Sequence, residues 1–161
     1  MELAYLSLGS NVEPVPNLSS ALAALSARFG DVRVSAAYCF PAVGFAGADF
    51  VNLAAVIETD LPAAALNDWL HELEDRHGRR RDVPRFSDRT LDIDIVLYGA
   101  HVLQGSGNLQ VPRDELKHAF VLRPLAEIAP DAVVPTNRQS LRELWRQHAD
   151  YGREFRRVAL D

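Results

Sequence analysis

Apolar residues alternate with polar or small ones in four segments of the chain, and each of these segments predicts a β-strand. The four predicted strands are residues 3–8, 32–38, 50–59 and 91–98. Two intervening stretches instead repeat apolar residues every three or four positions, which predicts helices with one buried face: Leu18, Leu22, Leu25 and Phe29, and Leu66, Trp69, Leu70 and Leu73. Asn17 is the expected N-cap of the first helix, the segment Thr59-Asp60-Leu61-Pro62 is the expected start of the second, and Gly30 and Gly78 mark the expected ends.

The order of these elements is βαββαβ, which is typical of the ferredoxin-like α+β fold, with an antiparallel sheet and both helices on one face. A C-terminal extension is expected to follow this core. It contains a short hairpin within residues 102–111, a helix over 120–128, a helix that begins with the capping box at Ser140, and a last strand within 155–160.

Two carboxylates stand at the beginning of the fourth predicted strand. Leu91, Ile93, Ile95 and Leu97 give one face of this strand an aliphatic surface, and the other face begins with Asp92 and Asp94. Residues two apart on a strand point the same way, with Cα atoms roughly 6.6 Å apart. The two side chains can therefore hold Mg²⁺ together with substrate phosphates, or they can simply be the solvated side of a half-exposed strand.

An arginine-rich segment precedes this strand. Residues 76–89 contain six arginines and only two aspartates, although the whole chain has a net charge of −5. Guanidinium groups beside a carboxylate-bound metal are what phosphoryl transfer requires, because together they neutralise a polyphosphate.

Asn52 is a polar residue on the Phe50–Asn52–Ala54–Val56 face of the third predicted strand, which is otherwise apolar. A buried amide needs hydrogen-bond partners. It can read the edge of a heterocyclic ligand, or it can tie down a neighbouring loop. Gly9, in the turn Gly9-Ser10-Asn11, can likewise admit a ligand close to the backbone or serve an ordinary turn.

Length, composition and charge narrow the class of protein. The 161 residues predict one domain spanning 1–161, with 48% hydrophobic and 24% charged residues. The acidic balance argues against a nucleic-acid partner. The single cysteine, Cys39, indicates a reducing, cytoplasmic setting. We expect no membrane span or signal peptide, and we expect a monomer.

Several segments of the chain together resemble the 6-hydroxymethyl-7,8-dihydropterin pyrophosphokinases of folate biosynthesis. They are Gly9-Ser10-Asn11, Phe50-x-Asn52, Gly78-Arg79, Arg85-Phe86, Arg89-Thr-Leu-Asp-Ile-Asp-Ile95, Tyr98-Gly99 and Phe120-Val-Leu-x-Pro-Leu-x-Glu-Ile-Ala-Pro130. The resemblance implies transfer of pyrophosphate from ATP to the pterin hydroxymethyl group, with release of AMP.

The resemblance also implies a role for each matching residue. Asp92 and Asp94 would hold two Mg²⁺ ions, and Arg79 and Arg89 would act in catalysis. ATP would be bound by Glu74, Arg79, Arg81, Arg89, Lys117 and His118. The pterin would be bound by Gly9, Pro41, Val43, Phe50, Asn52, Phe86 and Phe120. Separately, the loop 78–88 is long and polar, so we expect it to close when ATP binds.

The segment 112–119 departs from the family pattern. The family usually has a His after the late Pro and an Arg two residues before the late Phe, whereas this chain has Arg113 and, in the Arg region, Lys117-His118, in a segment that is one residue shorter. This departure leaves an alternative open, a diverged paralogue that binds pterin or nucleotide but uses another acceptor or turns over little. A ferredoxin-like RNA-binding domain is a further alternative, against which the acidic balance and the carboxylate pair argue.

Overall fold

The computed structural model describes residues 1–78 and 88–160. Within these residues it contains eight strands and four α-helices, in this order: β1 (Glu2–Ser10), α1 (Pro14–Phe29), β2 (Arg33–Val34), β3 (Ala37–Phe40), β4 (Phe50–Thr59), α2 (Ala63–Arg76), β5 (Asp92–Tyr98), β6 (Leu103–Gln104), β7 (Gln110–Val111), α3 (Ala119–Ile128), α4 (Leu141–Arg146) and β8 (Arg157–Val158). The expected hairpin, capped helix and last strand of the C-terminal extension are all present.

The main sheet has the strand order β5-β1-β4-β3-β8, and all of its neighbouring strands are antiparallel. This is the ferredoxin-like arrangement that the element order predicts. Helices α1 and α2 cover one face of the sheet, where Leu6, Leu53 and Ile93 form the main core. The C-terminal helices α3 and α4 cover part of the opposite face, against Val56 and Val96. Asn52, Asp92 and Asp94 lie on this second face.

The strand expected over 32–38 is divided into β2 and β3, and both parts pair with β4. The reason lies at Ser35 and Ala36. The Ser35 hydroxyl accepts a hydrogen bond from the Ala54 N–H at 2.9 Å, and the Ala36 N–H donates to Glu127 Oε2 on α3 at 2.8 Å. The backbone at Ala36 therefore bonds to a helix of the extension instead of continuing the ladder.

Two local predictions are wrong. Asn17 does not cap α1, because the helix begins earlier, at Pro14, and Asn17 belongs to its first turn. The Asn17 side chain donates to the Val12 carbonyl at 2.8 Å. Leu97 does not share the face of Ile93 and Ile95. The register between β1 and β5 shifts at Tyr5/Leu6, so that Leu97 packs with Val96 against the C-terminal helices.

The start of α2 also differs in detail, since Pro62 is the N-cap residue itself and no side chain caps the helix. Within the described residues, no helix is both long and apolar enough to cross a membrane.

Candidate active site

A cleft of about 700 Å³ lies over the sheet face that carries Asn52 and Asp94, a size typical of small-molecule sites. Every predicted site residue within the described ranges lines it: Gly9, Pro41, Val43, Phe50, Asn52, Glu74, Arg89, Asp92, Asp94, Lys117, His118 and Phe120. Arg79, Arg81 and Phe86, and the closure of the loop 78–88, fall on residues outside the described ranges, so their roles stay predictions.

The central strand β1 aligns the polar groups of the cleft. Gly9 pairs with Asn52 of β4 on one side and with Asp92 of β5 on the other. Asp94 pairs with Ser7. It lies two residues after Asp92 and therefore on the same face of the sheet. Because directly paired residues share a face of the sheet, one amide and two carboxylates point into one cleft. A Cβ atom on Gly9 would lie 2.5 Å from Asn52 Nδ2, so glycine leaves the space that the amide occupies.

The Asn52 side chain is buried and only partly hydrogen-bonded. Its Nδ2 donates to the Leu8 carbonyl at 3.5 Å, and its Oδ1 is buried with no hydrogen-bond partner in the described part of the chain. Leaving a buried acceptor unpaired costs on the order of 1–3 kcal/mol. Among the described residues, the one hydrogen bond of this amide is to a strand backbone, so it ties down none of the loops that the structure describes. This geometry favours a ligand-reading role over the structural alternative.

The pKa of Asp94 is strongly perturbed by its surroundings in the cleft. Its burial and the negative charge of Asp92 raise the pKa of Asp94 well above its ordinary value; Glu115 and Glu74 act in the same direction, and Arg113 opposes them. Negative charge is therefore concentrated where a cation would relieve it.

The donor set at this point fits Mg²⁺. Among residues 1–78 and 88–160, no three or more His, Cys, Asp or Glu side chains form a metal-binding group. Asp92 and Asp94 would supply two carboxylates, with water and phosphate oxygens in the remaining positions, a coordination that Mg²⁺ commonly has and that zinc sites usually do not.

Arg113 is a cation beside Asp94 that the sequence did not lead us to expect there. Its Nη2 atom lies 3.4 Å from Asp94 Oδ1 and 2.9 Å from Glu115 Oε1. The Arg113 backbone N–H donates to the Val96 carbonyl at 3.0 Å, which brings the residue after Pro112 back alongside β5. The available signal was the replacement of the family His at this position.

Glu74 reaches the carboxylate pair from the last turn of α2. It is 2% exposed, and its Oε2 accepts a hydrogen bond from the Ile93 N–H at 2.7 Å. Ile93 stands between the two aspartates, so Glu74 fixes the start of β5 while it lines the cleft.

Arg89 is buried and is held by the turn after β1. The Asn11 N–H donates to the Arg89 carbonyl at 3.0 Å, and the Arg89 N–H donates to Asn11 Oδ1 at 2.8 Å. Asn11 is a positioning residue that the sequence analysis named only as part of a motif. Its two-way contact fixes the backbone from which the Arg89 side chain enters the cleft.

Aromatic rings form another wall of the cleft. Besides the predicted Phe50 and Phe120, the wall includes Phe40 and Phe45, which sequence reasoning missed. His118 stacks on Phe120, with ring centroids 5.1 Å apart and planes inclined by 14°. Burial and the positive charge of Lys117 lower the pKa of His118, which disfavours the charged form of its imidazole beside Phe120.

Solved structures with this arrangement of elements include two larger chains. The Plasmodium falciparum HPPK-DHPS with pteroate superposes with a TM-score of 0.67 at 15% identity, covering 91% of this chain and 42% of that one. A structure described as HPPK-DHPS in complex with substrates gives a TM-score of 0.62 at 15% identity, covering 90% of this chain and 43% of that one. The chain thus spans less than half of these larger proteins, and the likeness supports the fold.

Sequence relatives carry the family assignment. The 2-amino-4-hydroxy-6-hydroxymethyldihydropteridine pyrophosphokinase of Haemophilus influenzae is 40% identical over 156 residues, which covers 94% of this chain and 96% of the relative. The protein of the same name from Pseudomonas aeruginosa is 40% identical over 140 residues, with 83% and 85% coverage. The sequence profile of the 7,8-dihydro-6-hydroxymethylpterin-pyrophosphokinases matches residues 5–130. The chain therefore belongs to the 7,8-dihydro-6-hydroxymethylpterin-pyrophosphokinase family.

Proposed function

We propose that this protein transfers the pyrophosphoryl group of ATP to the hydroxymethyl oxygen of 6-hydroxymethyl-7,8-dihydropterin and releases AMP, as a step of folate biosynthesis. The single observation that carries the proposal is the cross-strand row Asn52–Gly9–Asp92, which sets a buried, unpaired amide oxygen beside the carboxylate pair in one cleft. Family membership and the aromatic wall agree with it.

On the pterin side, the buried Asn52 Oδ1 would accept a hydrogen bond from an N–H group on the edge of the heterocycle. Phe50 and Phe120 would contact its ring faces, since flat heterocycles stack well on aromatic side chains. Pro41 and Val43, in the loop before β4, would close the pocket.

On the ATP side, Asp92 and Asp94 would hold two Mg²⁺ ions. When bound, these ions supply charge neutralisation and orient the triphosphate relative to the attacking hydroxyl. Arg89 would contact the transferred phosphates from its fixed backbone position, and Lys117 would add positive charge from the segment after β7. Glu74 would border the nucleotide.

The reaction needs positioning and no covalent protein intermediate. The pterin hydroxyl oxygen bonds to the β-phosphorus of ATP, the bond between that phosphorus and the oxygen bridging to the α-phosphate breaks, and the hydroxyl proton is lost to solvent. The chain holds the two oxygens in line and stabilises the charge that develops between them.

The alternative of a diverged paralogue gains no support from the comparisons. Its distinguishing feature was a segment 112–119 unable to place a cation at the site, yet Arg113 and Lys117 both line the cleft.

We further propose that residues 1–161 act as one monomeric domain in the cytoplasm, without a nucleic-acid partner.

The test is AMP release from ATP and Mg²⁺ by the purified protein, with and without 6-hydroxymethyl-7,8-dihydropterin, followed by chromatography. We expect AMP only when the pterin is present, and none from Asp92→Asn. Tight binding of pterin and ATP without AMP release would overturn the proposal in favour of the paralogue.

A further inference from the structure

Arg113 is fixed beside the carboxylate pair by contacts from all three nitrogens of its guanidinium group. Its Nε donates to Glu115 Oε1 at 3.0 Å, its Nη1 donates to the Asn108 carbonyl at 3.0 Å, and its Nη2 faces both Glu115 and Asp94. The Arg113 side chain is only 15% exposed. Apart from the contact with Asp94, the guanidinium is therefore held by Glu115 and the Asn108 carbonyl, which do not belong to the carboxylate pair.

The distances rank these contacts. Arg113 lies closer to Glu115, at 2.9 Å, than to Asp94, at 3.4 Å. A guanidinium so anchored can give up its contact with Asp94 without leaving the cleft. An unanchored arginine that lost this contact would swing into solvent, at a cost in side-chain entropy each time it returned.

We propose that Arg113 is a built-in counter-cation. It neutralises Asp94 in the metal-free protein, and a divalent cation takes its place on that carboxylate, while Glu115 and Asn108 keep the guanidinium within the cleft. The inference rests on the proposed metal role of Asp92 and Asp94. In this role Arg113 is a positioning residue that competes with the metal for Asp94. This role differs from that of a residue that only binds phosphate.

The consequence is an ordered exchange of charge. Before metal binds, Arg113 reduces the repulsion between Asp92, Asp94 and Glu115, so the folded protein tolerates an acidic cleft. After metal binds, the displaced guanidinium sits between Glu115 and the space in front of the carboxylates. Its Nη2 group is then available to donate a charge-assisted hydrogen bond to an incoming phosphate oxygen.

The direct test is Mn²⁺ binding to the nucleotide-free protein at pH 8, measured from the electron paramagnetic resonance signal of free Mn²⁺. Arg113→Gln removes the charge and keeps most of the side-chain volume. Because a positive charge a few ångströms away strongly opposes a divalent cation, we expect this variant to bind Mn²⁺ about ten-fold more tightly than the unsubstituted protein. Arg113→Lys, which keeps the charge, should stay within about two-fold.

Arg142→Gln is the matched control, because Arg142 pairs with Asp131 on an exposed surface, with side chains 45% and 83% exposed. Its Mn²⁺ affinity should not change. Asp92→Asn in the Arg113→Gln background should abolish the gain and so locate the ion at the pair.

Unchanged or weaker Mn²⁺ binding by Arg113→Gln would overturn the inference, and so would absence of Mn²⁺ binding in every variant. A second measurement covers the case in which the variant fails to fold. The Arg113 Nε resonance in the unsubstituted protein should shift when Mg²⁺ is added, and a resonance that stays in place refutes the exchange. Pterin-dependent AMP release is assayed separately, so failure of the inference is distinguishable from failure of the proposed function.

Discussion

Gly9→Ala places one methyl group at the centre of the polar row and tests whether the Asn52 amide reads the pterin. The Gly9 φ angle lies outside the left-handed region, so the backbone itself accepts alanine. The new Cβ would lie 2.5 Å from Asn52 Nδ2, whereas ordinary contacts begin at 3.4 Å. Since Asn52 is buried between β1 and the rest of the cleft, its amide has to move by about 1 Å.

The size of the effect follows from that displacement. Misplacing a binding group by about 1 Å can cost on the order of 100-fold in rate, which corresponds to about 2.7 kcal/mol. We therefore expect the kcat/KM for the pterin to fall by about 100-fold. Overpacking should lower the free energy of unfolding by roughly 1–3 kcal/mol, which leaves the protein folded at 25 °C.

A double-mutant cycle with Asn52→Ala separates this mechanism from general damage. If Gly9→Ala acts through the amide, the double variant should be no worse than Asn52→Ala alone. Pterin affinity by calorimetry and kcat/KM by AMP release give the two readouts, and MgATP affinity should stay within about two-fold of the unsubstituted protein. Additive losses in the double variant, or normal pterin affinity in Gly9→Ala, would refute the reasoning.

Three further predictions follow from the same geometry. Because the pKa of Asp94 is raised, the metal-free protein should lose stability as pH rises from about 4 towards neutrality. Asp94→Asn removes this ionisable group, so it should raise the melting temperature in EDTA at pH 7 and abolish Mg²⁺-dependent AMP release. A lower melting temperature for this variant would contradict the prediction. Arg89→Ala should reduce kcat/KM by about 10²–10³-fold, with partial recovery in Arg89→Lys, and steady-state kinetics showing less than a two-fold loss would exclude a phosphate contact. Phe155 packs on Phe40 of the aromatic wall with ring centroids 4.5 Å apart; Phe155→Ala should raise the pterin KM by about five-fold with little change in kcat, and an unchanged KM would show that the extension does not support the wall.

The fold was predictable wherever side-chain alternation runs uninterrupted. The strand predicted over 50–59 coincides with β4, because each of its residues faces either the main core or the opposite face in strict alternation. The alternation in β5 holds only as far as Ile95. Beyond it the register shift against β1 turns Leu97 to the other face, and a register shift depends on the partner strand, which no local pattern contains.

The helix α1 shows a different limit. Asn17 is a good capping residue by type, but Pro14 precedes it and fits the first turn of a helix, since proline has no N–H to leave unpaired. The helix begins at Pro14 because two prolines and the left-handed backbone conformation of Glu13 direct the chain into its first turn. The Asn17 amide donates to the Val12 carbonyl instead of capping the helix.

The candidate site was predictable as a set of residues more than as a network of contacts. Residue types at motif positions named Asn52, Asp92, Asp94 and Arg89, and the sheet brings all four into one cleft. Contacts that join distant segments were missed. Asn11 to Arg89 spans 78 residues, and its existence depends on the turn after β1 lying beside the start of β5.

Arg113 shows most clearly why residue type alone is insufficient at a position that departs from a family pattern. By residue type alone, an arginine in place of a histidine suggests stronger phosphate binding, whereas the shortening of the segment suggests weaker phosphate binding. In the fold, the hydrogen bond to Val96 turns Arg113 towards Asp94, and Glu115, two residues further on, holds it there. The segment therefore keeps a cation at the site but directs it to the carboxylate pair, so its departure from the pattern alters how the site's charge is balanced before any substrate binds.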